Sequence, residues 1–293
     1  MQLGPPYNHH GHGSQQRNHD QGYALIEGAN DVQSGRLLVY FHGVPGAPQE
    51  ANVFDAPAQA HGLQVLCIDR FAMDSALRGD AYYQALAAHI TSVAQGQVVD
   101  FVGFSMGAFI ALQTSRFLPS QVRSIHLVSA AAPLDGGDFL EALAGKHVFR
   151  LAQKAPWLFG LLTRWQGVLA RFAPGALFGM LFASAQGGDV ALAKDAAFQA
   201  VVKSALQSAF GGGQAGYRRD VETYVQPWAA SLATIHAPVH LWHGDADNWS
   251  SPAMAHYLQA TLPHVAGLQL MPGLSHYSCL LAALPKICTQ VAA

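Results

Sequence analysis

The chain has 293 residues, 51% of them hydrophobic and 12% charged, with a formal net charge of −2. That length can bury a substantial core, as one large domain or as a domain carrying an insertion. The weak charge balance, without a long basic or acidic run, argues against a nucleic-acid partner, and three cysteines (Cys67, Cys279 and Cys288) without C-x-x-C spacing argue against a disulfide framework or a thiolate zinc site.

Residues 1–22 are polar and rich in His, Gly, Asn and Gln, which reads as a flexible tail. They hold no apolar stretch of the kind that opens a secretory signal. Together with the sparse cysteines, this sets the expected location as cytoplasmic. His9, His10, His12 and His19 are metal-capable, but a loose tract without cysteine ligands is weak evidence, and no metal is expected.

Tyr23 to Glu27 reads as a strand and 28–35 as a polar turn. Leu37 to Phe41 is fully apolar, the pattern of a strand buried on both faces. It ends in His42-Gly43-Val44-Pro45-Gly46, and a helical pattern follows over about 49–61. Val65 to Asp69 is a further buried strand, followed by a helix over roughly 81–94. Val98 to Val102 is the next strand. It runs into Gly103-Phe104-Ser105-Met106-Gly107 and a helix over 108–117, and Ser124 to Val128 is again a strand. Such β–α alternation predicts a mostly parallel sheet covered by helices, with functional loops at the carboxyl ends of the strands.

The alternation stops near Pro133. Residues 134–230 show no strand pattern and read as helices broken by glycine and proline. Their centre, Trp157 to Ala183, is very apolar, but Arg164, Arg171 and Pro174 interrupt it, so an interfacial or lid-like role is expected rather than a membrane span. The rhythm resumes with a strand over 238–243, the loop Gly244-Asp245-Ala246-Asp247, a helix over 252–262, a strand over 268–271, the loop Pro272-Gly273-Leu274-Ser275-His276, and a last helix. The expected organisation is a core of 23–133 and 231–293, with 134–230 inserted between two strands of one sheet.

The G-x-S-x-G spacing has a mechanical reason. A sharp strand-to-helix turn strains the serine backbone and crowds the chain on both sides, and glycine two residues away in each direction leaves room. Ser105 is thereby a candidate nucleophile beside a helix N-terminus. A serine hydroxyl needs a base, usually a histidine oriented by a carboxylate. Of fifteen histidines, His276 stands just beyond a strand; His243 and His42 also end strands, and His126 and His240 lie inside them. For the acid, Asp247 and Asp245 follow the strand before the one preceding His276. Asp135 is a rival, and Asp69 reads as an anchor for its own loop.

In chain order and loop position, these motifs resemble the α/β-hydrolase superfamily, specifically its members with a helical cap, over roughly residues 23–293. The resemblance rests on the 42–46, 103–107, 244–247 and 272–276 segments together. It implies Ser105 as nucleophile, His276 as base and Asp247 as the orienting acid. The backbone N–H groups of Val44 and Met106 would be the oxyanion donors. Two departures stand out. The loop Asp69-Arg70-Phe71-Ala72-Met73-Asp74-Ser75 lacks the two glycines common in the family. Pro252 falls one residue later than usual, which keeps Asp245 open as an alternative acid.

A serine nucleophile implies acyl transfer, with no metal or organic cofactor required. Dehalogenases and epoxide hydrolases with similar caps carry an aspartate at this position. Carboxylic ester hydrolysis is the leading expectation, on a small-molecule substrate with a hydrophobic moiety. Thioester, lactone, amide or C–C bond hydrolysis on the same scaffold are alternatives. A different class, a hydrolase-fold receptor with little turnover, also fits the sequence. So does a membrane-surface lipase using 157–183. Arg218, Arg219 and Asp220 are expected in surface or cap-to-core ion pairs.

Overall fold

Seven strands form one sheet in the computed structural model, which describes residues 23–26 and 35–293. They are β1 (Tyr23–Ile26), β2 (Leu37–Phe41), β3 (Gln64–Ile68), β4 (Val99–Phe104), β5 (Val122–Val128), β6 (Val239–Gly244) and β7 (Val265–Met271). Their order is β1-β3-β2-β4-β5-β6-β7. β1 pairs antiparallel with β3, and every other neighbouring pair is parallel. The histidine-rich tract at 1–22, with its four metal-capable histidines, lies outside the described residues.

The apolar runs explain the layers. Every residue of β2 and of β4 is buried, as a parallel sheet covered on both faces demands. Parallel neighbours require crossovers, and α1 (Asp55–Ala60), α2 (Gly79–Ala94) and α3 (Met106–Ser115) supply them on the N-terminal side. The helix expected over 49–61 is two pieces: a 3-10 segment, Pro48–Phe54, then α1. Pro57 has no N–H to donate back towards Val53, which breaks the α-helical ladder at that junction. All ten residues of α3 are buried, so the helix after Ser105 is a core element on every side.

Between β5 and β6 the chain is helical: α4 (Lys146–Lys154), α5 (Pro156–Phe172), α6 (Pro174–Leu181), α7 (Asp189–Leu192), α8 (Ala196–Phe210) and α9 (Gln214–Tyr224). The core then closes with α10 (Pro252–Thr261) and α11 (His276–Ala292). Buried polar contacts fasten the inserted helices to the core. Arg70, after β3, reaches Asp220 on α9 at 2.7 Å, and Arg219 Nε donates to the same carboxylate at 3.1 Å. Tyr224 Oη donates to the Ala132 carbonyl at 2.8 Å. Of the three charged residues expected in ion pairs, Arg219 and Asp220 are fully buried, while Arg218 pairs with Glu222 along α9 and stays partly exposed.

Cys67, Cys279 and Cys288 are free and buried. Among the described residues no group of His, Cys, Asp and Glu side chains could hold a metal ion, and no helix is long and apolar enough to cross a membrane.

Candidate active site

Ser105 occupies the turn between β4 and α3 with φ 56° and ψ −127°, a conformation that costs a non-glycine residue energy. The flanking glycines allow it. A Cβ on Gly103 would stand 2.6 Å from Ala108 Cα, and one on Gly107 would collide with the carbonyls of Phe41 and His42. The second glycine therefore lets α3 approach the end of β2, which brings the 42–46 loop beside Ser105.

His276 is the first residue of α11, two loops away in sequence from Asp247 but adjacent across the β6–β7 end of the sheet. Its Nδ1 lies 2.8 Å from Asp247 Oδ2, with both side chains buried. A carboxylate only accepts, so Nδ1 carries the proton and Nε2 of the neutral ring is left as a base. The second Asp247 oxygen accepts from the N–H groups of Trp249 (2.8 Å) and Ser250 (3.0 Å). Burial pushes the Asp247 carboxyl up, but the His276 imidazole, the His243 ring and the Ser250 N–H outweigh it and hold the group below its ordinary value. The Trp249 indole stacks on the His276 ring at 5.2 Å, with 17° between planes. Phe104, next to Ser105, packs against the same ring at 4.8 Å. Among the described residues no hydrogen bond joins the Ser105 hydroxyl to His276 Nε2. Such bonds commonly tighten only when substrate binds.

The inserted helices also hold the histidine. Asp189 on α7 is fully buried and accepts from the N–H groups of Tyr277 (3.0 Å) and Ser278 (2.7 Å), capping the first turn of α11. Ser129 Oγ donates to the His276 carbonyl at 3.1 Å.

Ser105 opens on a cavity of about 250 Å³. Val44, Met106 and Trp249 line it from the core, and Phe149, Leu177 and Phe210 from the insertion. Met106 is the first residue of α3, so its N–H has no partner within the helix. The 42–46 loop is braced from behind. Glu50 accepts from Gly43 N–H at 3.4 Å, while Arg70 Nη2 (3.1 Å) and His42 Nδ1 (2.9 Å) converge on the Gly43 carbonyl. Burial raises Glu50 to about 7, partly offset by the Gly43 N–H and Arg70. Burial and the Arg70 charge keep His42 well below its ordinary value, so it is neutral.

The other candidates separate. Asp245 is exposed and accepts from Gly273 N–H at 2.7 Å, bracing the loop before His276 rather than the imidazole. Asp135 accepts from Trp228 and Ala229 N–H and closes the far end of the insertion. Asp69 accepts from Ala72 N–H within its own loop. His243 is buried, donates from Nε2 to the Ser250 carbonyl at 2.8 Å, and buttresses the Asp247 turn. His126 and His240 stack on each other across β5 and β6.

Five supports escaped the sequence reading: Glu50, Arg70, Ser129, Asp189 and Trp249. Arg70 carried a signal, as a lone cation at a strand end where the loop's glycines are missing. In the sequence Asp189 is one polar residue after Gly187-Gly188, and nothing local ties it to a helix some 88 residues on.

A family profile described as "Alpha/beta hydrolase family" matches residues 38–285, most of the chain. The protein belongs to the alpha/beta hydrolase family. Solved structures resemble it at low identity. One is titled "Est816 as an N-Acyl homoserine lactone degrading enzyme" (15% identity, 92% of this chain and 93% of that one, TM-score 0.62). Another is a bromoperoxidase from Bacillus anthracis (15%, 92% and 94%, 0.65). A third is MenH from S. aureus (14%, 92% and 97%, 0.65). At these identities the likeness carries the fold. No curated protein matches the chain.

Proposed function

We propose that the protein is a serine hydrolase acting on carboxylic esters with a hydrophobic moiety, the inserted helices serving as a cap over the pocket. The observation that carries this reading is the buried 2.8 Å contact of His276 Nδ1 with Asp247, beside a serine held at positive φ on the floor of an apolar cavity. Ser105 Oγ attacks the ester carbonyl as His276 Nε2 takes its proton. The oxyanion is stabilised by the N–H groups of Met106 and Val44. His276 then protonates the leaving alkoxide, leaving an acyl-enzyme on Ser105. Water, deprotonated by the same nitrogen, attacks that acyl group, and the intermediate collapses as His276 returns the proton to Ser105 Oγ, which releases the acid and restores the free serine. Asp247 fixes the tautomer throughout and stabilises the imidazolium as it forms. A lactone is an internal ester and follows the same path; the fold-level likeness to an acyl-lactone-degrading enzyme keeps it within the substrate panel. The lining favours apolar acyl or alcohol groups.

The test is labelling by a fluorophosphonate probe, followed by turnover on nitrophenyl esters of increasing acyl length and on acyl lactones. Labelling and turnover that vanish in Ser105→Ala are expected. An intact Ser105 that neither labels nor turns over any member would overturn the reading in favour of a receptor.

A further inference from the structure

Helix α5 is apolar on two opposite sides. Its inner side, with Phe159, Gly160, Thr163 and Ala170, is buried. Its outer side presents Trp157, Leu158, Leu161, Trp165, Val168 and Phe172, with Trp157 68% and Phe172 74% exposed. At 3.6 residues per turn these six fall within a sector roughly 100° wide. A helix apolar all round normally lies in a core or a bilayer, and the core of this protein leaves the outer stripe uncovered. Met180, on the neighbouring α6, is exposed and also lines the cavity above Ser105.

Along the segment that carries the stripe the charges have one sign. No Asp or Glu occurs between Glu141 and Asp189, whereas Lys146, Arg150, Lys154, Arg164 and Arg171 do. The Glu141 carboxylate pairs with Arg150 and its main-chain carbonyl accepts from Lys146, while Lys154, Arg164 and Arg171 are exposed cations. By helical spacing Arg164 and Arg171 lie along one edge of the stripe, and Arg171 covers the Phe172 ring at 5.3 Å.

We propose that the outer face of α5 docks the protein on an anionic lipid bilayer, with the apolar stripe entering the headgroup boundary and Arg164 and Arg171 meeting lipid phosphates. Two tryptophans on one stripe suit the interfacial region, where an aromatic ring is half apolar and half wet. A second copy of the chain fits less well. A two-fold contact through this face would juxtapose arginines with no carboxylate on the patch to offset them. The proposal stands apart from the chemistry at Ser105, although a docked α5 would hold Met180 and the cavity near a source of apolar esters.

The experiment is co-sedimentation of the full chain with phosphatidylcholine vesicles and with mixed phosphatidylcholine–phosphatidylglycerol vesicles, at low and high salt. Binding is expected on the mixed vesicles and should weaken with salt. Arg164→Gln with Arg171→Gln should reduce it by roughly twentyfold or more, at about fivefold per basic residue near an anionic surface. Trp165→Asp should abolish it. Ser105→Ala should bind like the wild type, so a failure of the hydrolase reading leaves this result readable. Thermal melts check that the surface variants fold, and the wild-type contrast between the two vesicles decides the matter if one does not. No sedimentation with either vesicle would overturn the proposal. So would equal sedimentation with both, or a solution dimer that Trp165→Asp dissolves.

Discussion

Arg70 and Asp220 stand 150 residues apart and meet at 2.7 Å, with neither side chain more than 1% exposed. The pair joins a core loop to the last inserted helix. Its other contacts give it a second role: Arg70 Nη2 holds the Gly43 carbonyl, and Arg219 Nη2 donates to the Arg70 carbonyl at 2.6 Å. Attachment of the insertion and the path of the loop carrying Val44 therefore share one buried network.

Two guanidinium groups share the Asp220 carboxylate, so Asp220→Asn leaves uncompensated charge in a dry site. The expected cost is about 3–5 kcal/mol, the range for breaking a buried pair. Urea unfolding of the variant measures it, and a loss below about 1 kcal/mol would show that the network is well solvated. Arg70→Lys cannot reach both Asp220 and Gly43, and should lower kcat roughly tenfold with little change in KM.

Asp247 and Asp245 are separable by kinetics. Asp247→Asn loses the acceptor that fixes the His276 tautomer, and kcat should fall on the order of 10³–10⁴-fold. Asp245→Asn keeps an acceptor for Gly273 N–H at an exposed site, and a change within a few-fold is expected. Comparable losses in both variants would contradict the assignment of Asp247 as the orienting acid.

Ser105 carries backbone strain that its side chain does not need for folding. Ser105→Gly relieves the positive φ, whereas Ser105→Ala retains it. Both variants should be inactive. The glycine variant should be more stable than the alanine variant by about 1–2 kcal/mol, read from denaturant midpoints. Equal stabilities would mean that the turn is relaxed in solution.

Glu50 links stability to pH. Its carboxyl is raised by burial to about 7, above the value near 4.5 expected of an exposed Glu. The folded state thus holds a proton that the unfolded chain releases. The resulting stabilisation is complete below the unfolded value and is lost as pH rises through about 7. From this group alone the wild type should lose about 2.5 kcal/mol between pH 5 and pH 8. Glu50→Gln keeps an acceptor for Gly43 N–H and removes the titration. Urea midpoints at the two pH values should therefore diverge between wild type and variant, and parallel profiles would exclude Glu50 as the linked group.

The sequence by itself determined the elements and the local half of the site. Apolar runs such as Leu37 to Phe41 and the glycines flanking Ser105 act through neighbours a few residues away, so period and spacing reveal them. The same holds for the strand-end positions of Asp247 and His276. Only the tertiary structure shows that Asp247 rather than Asp245 meets the His276 ring, because that depends on which carboxylate the β6 loop turns inward. Only it revealed that Arg70, Asp189 and Asp220 are buried, since a charge enters the interior only where a distant partner meets it, and no local pattern records that partner. The outward stripe of α5 is of the same kind. Periodicity makes the helix apolar, but which of its faces remains uncovered is fixed by how the neighbouring helices pack.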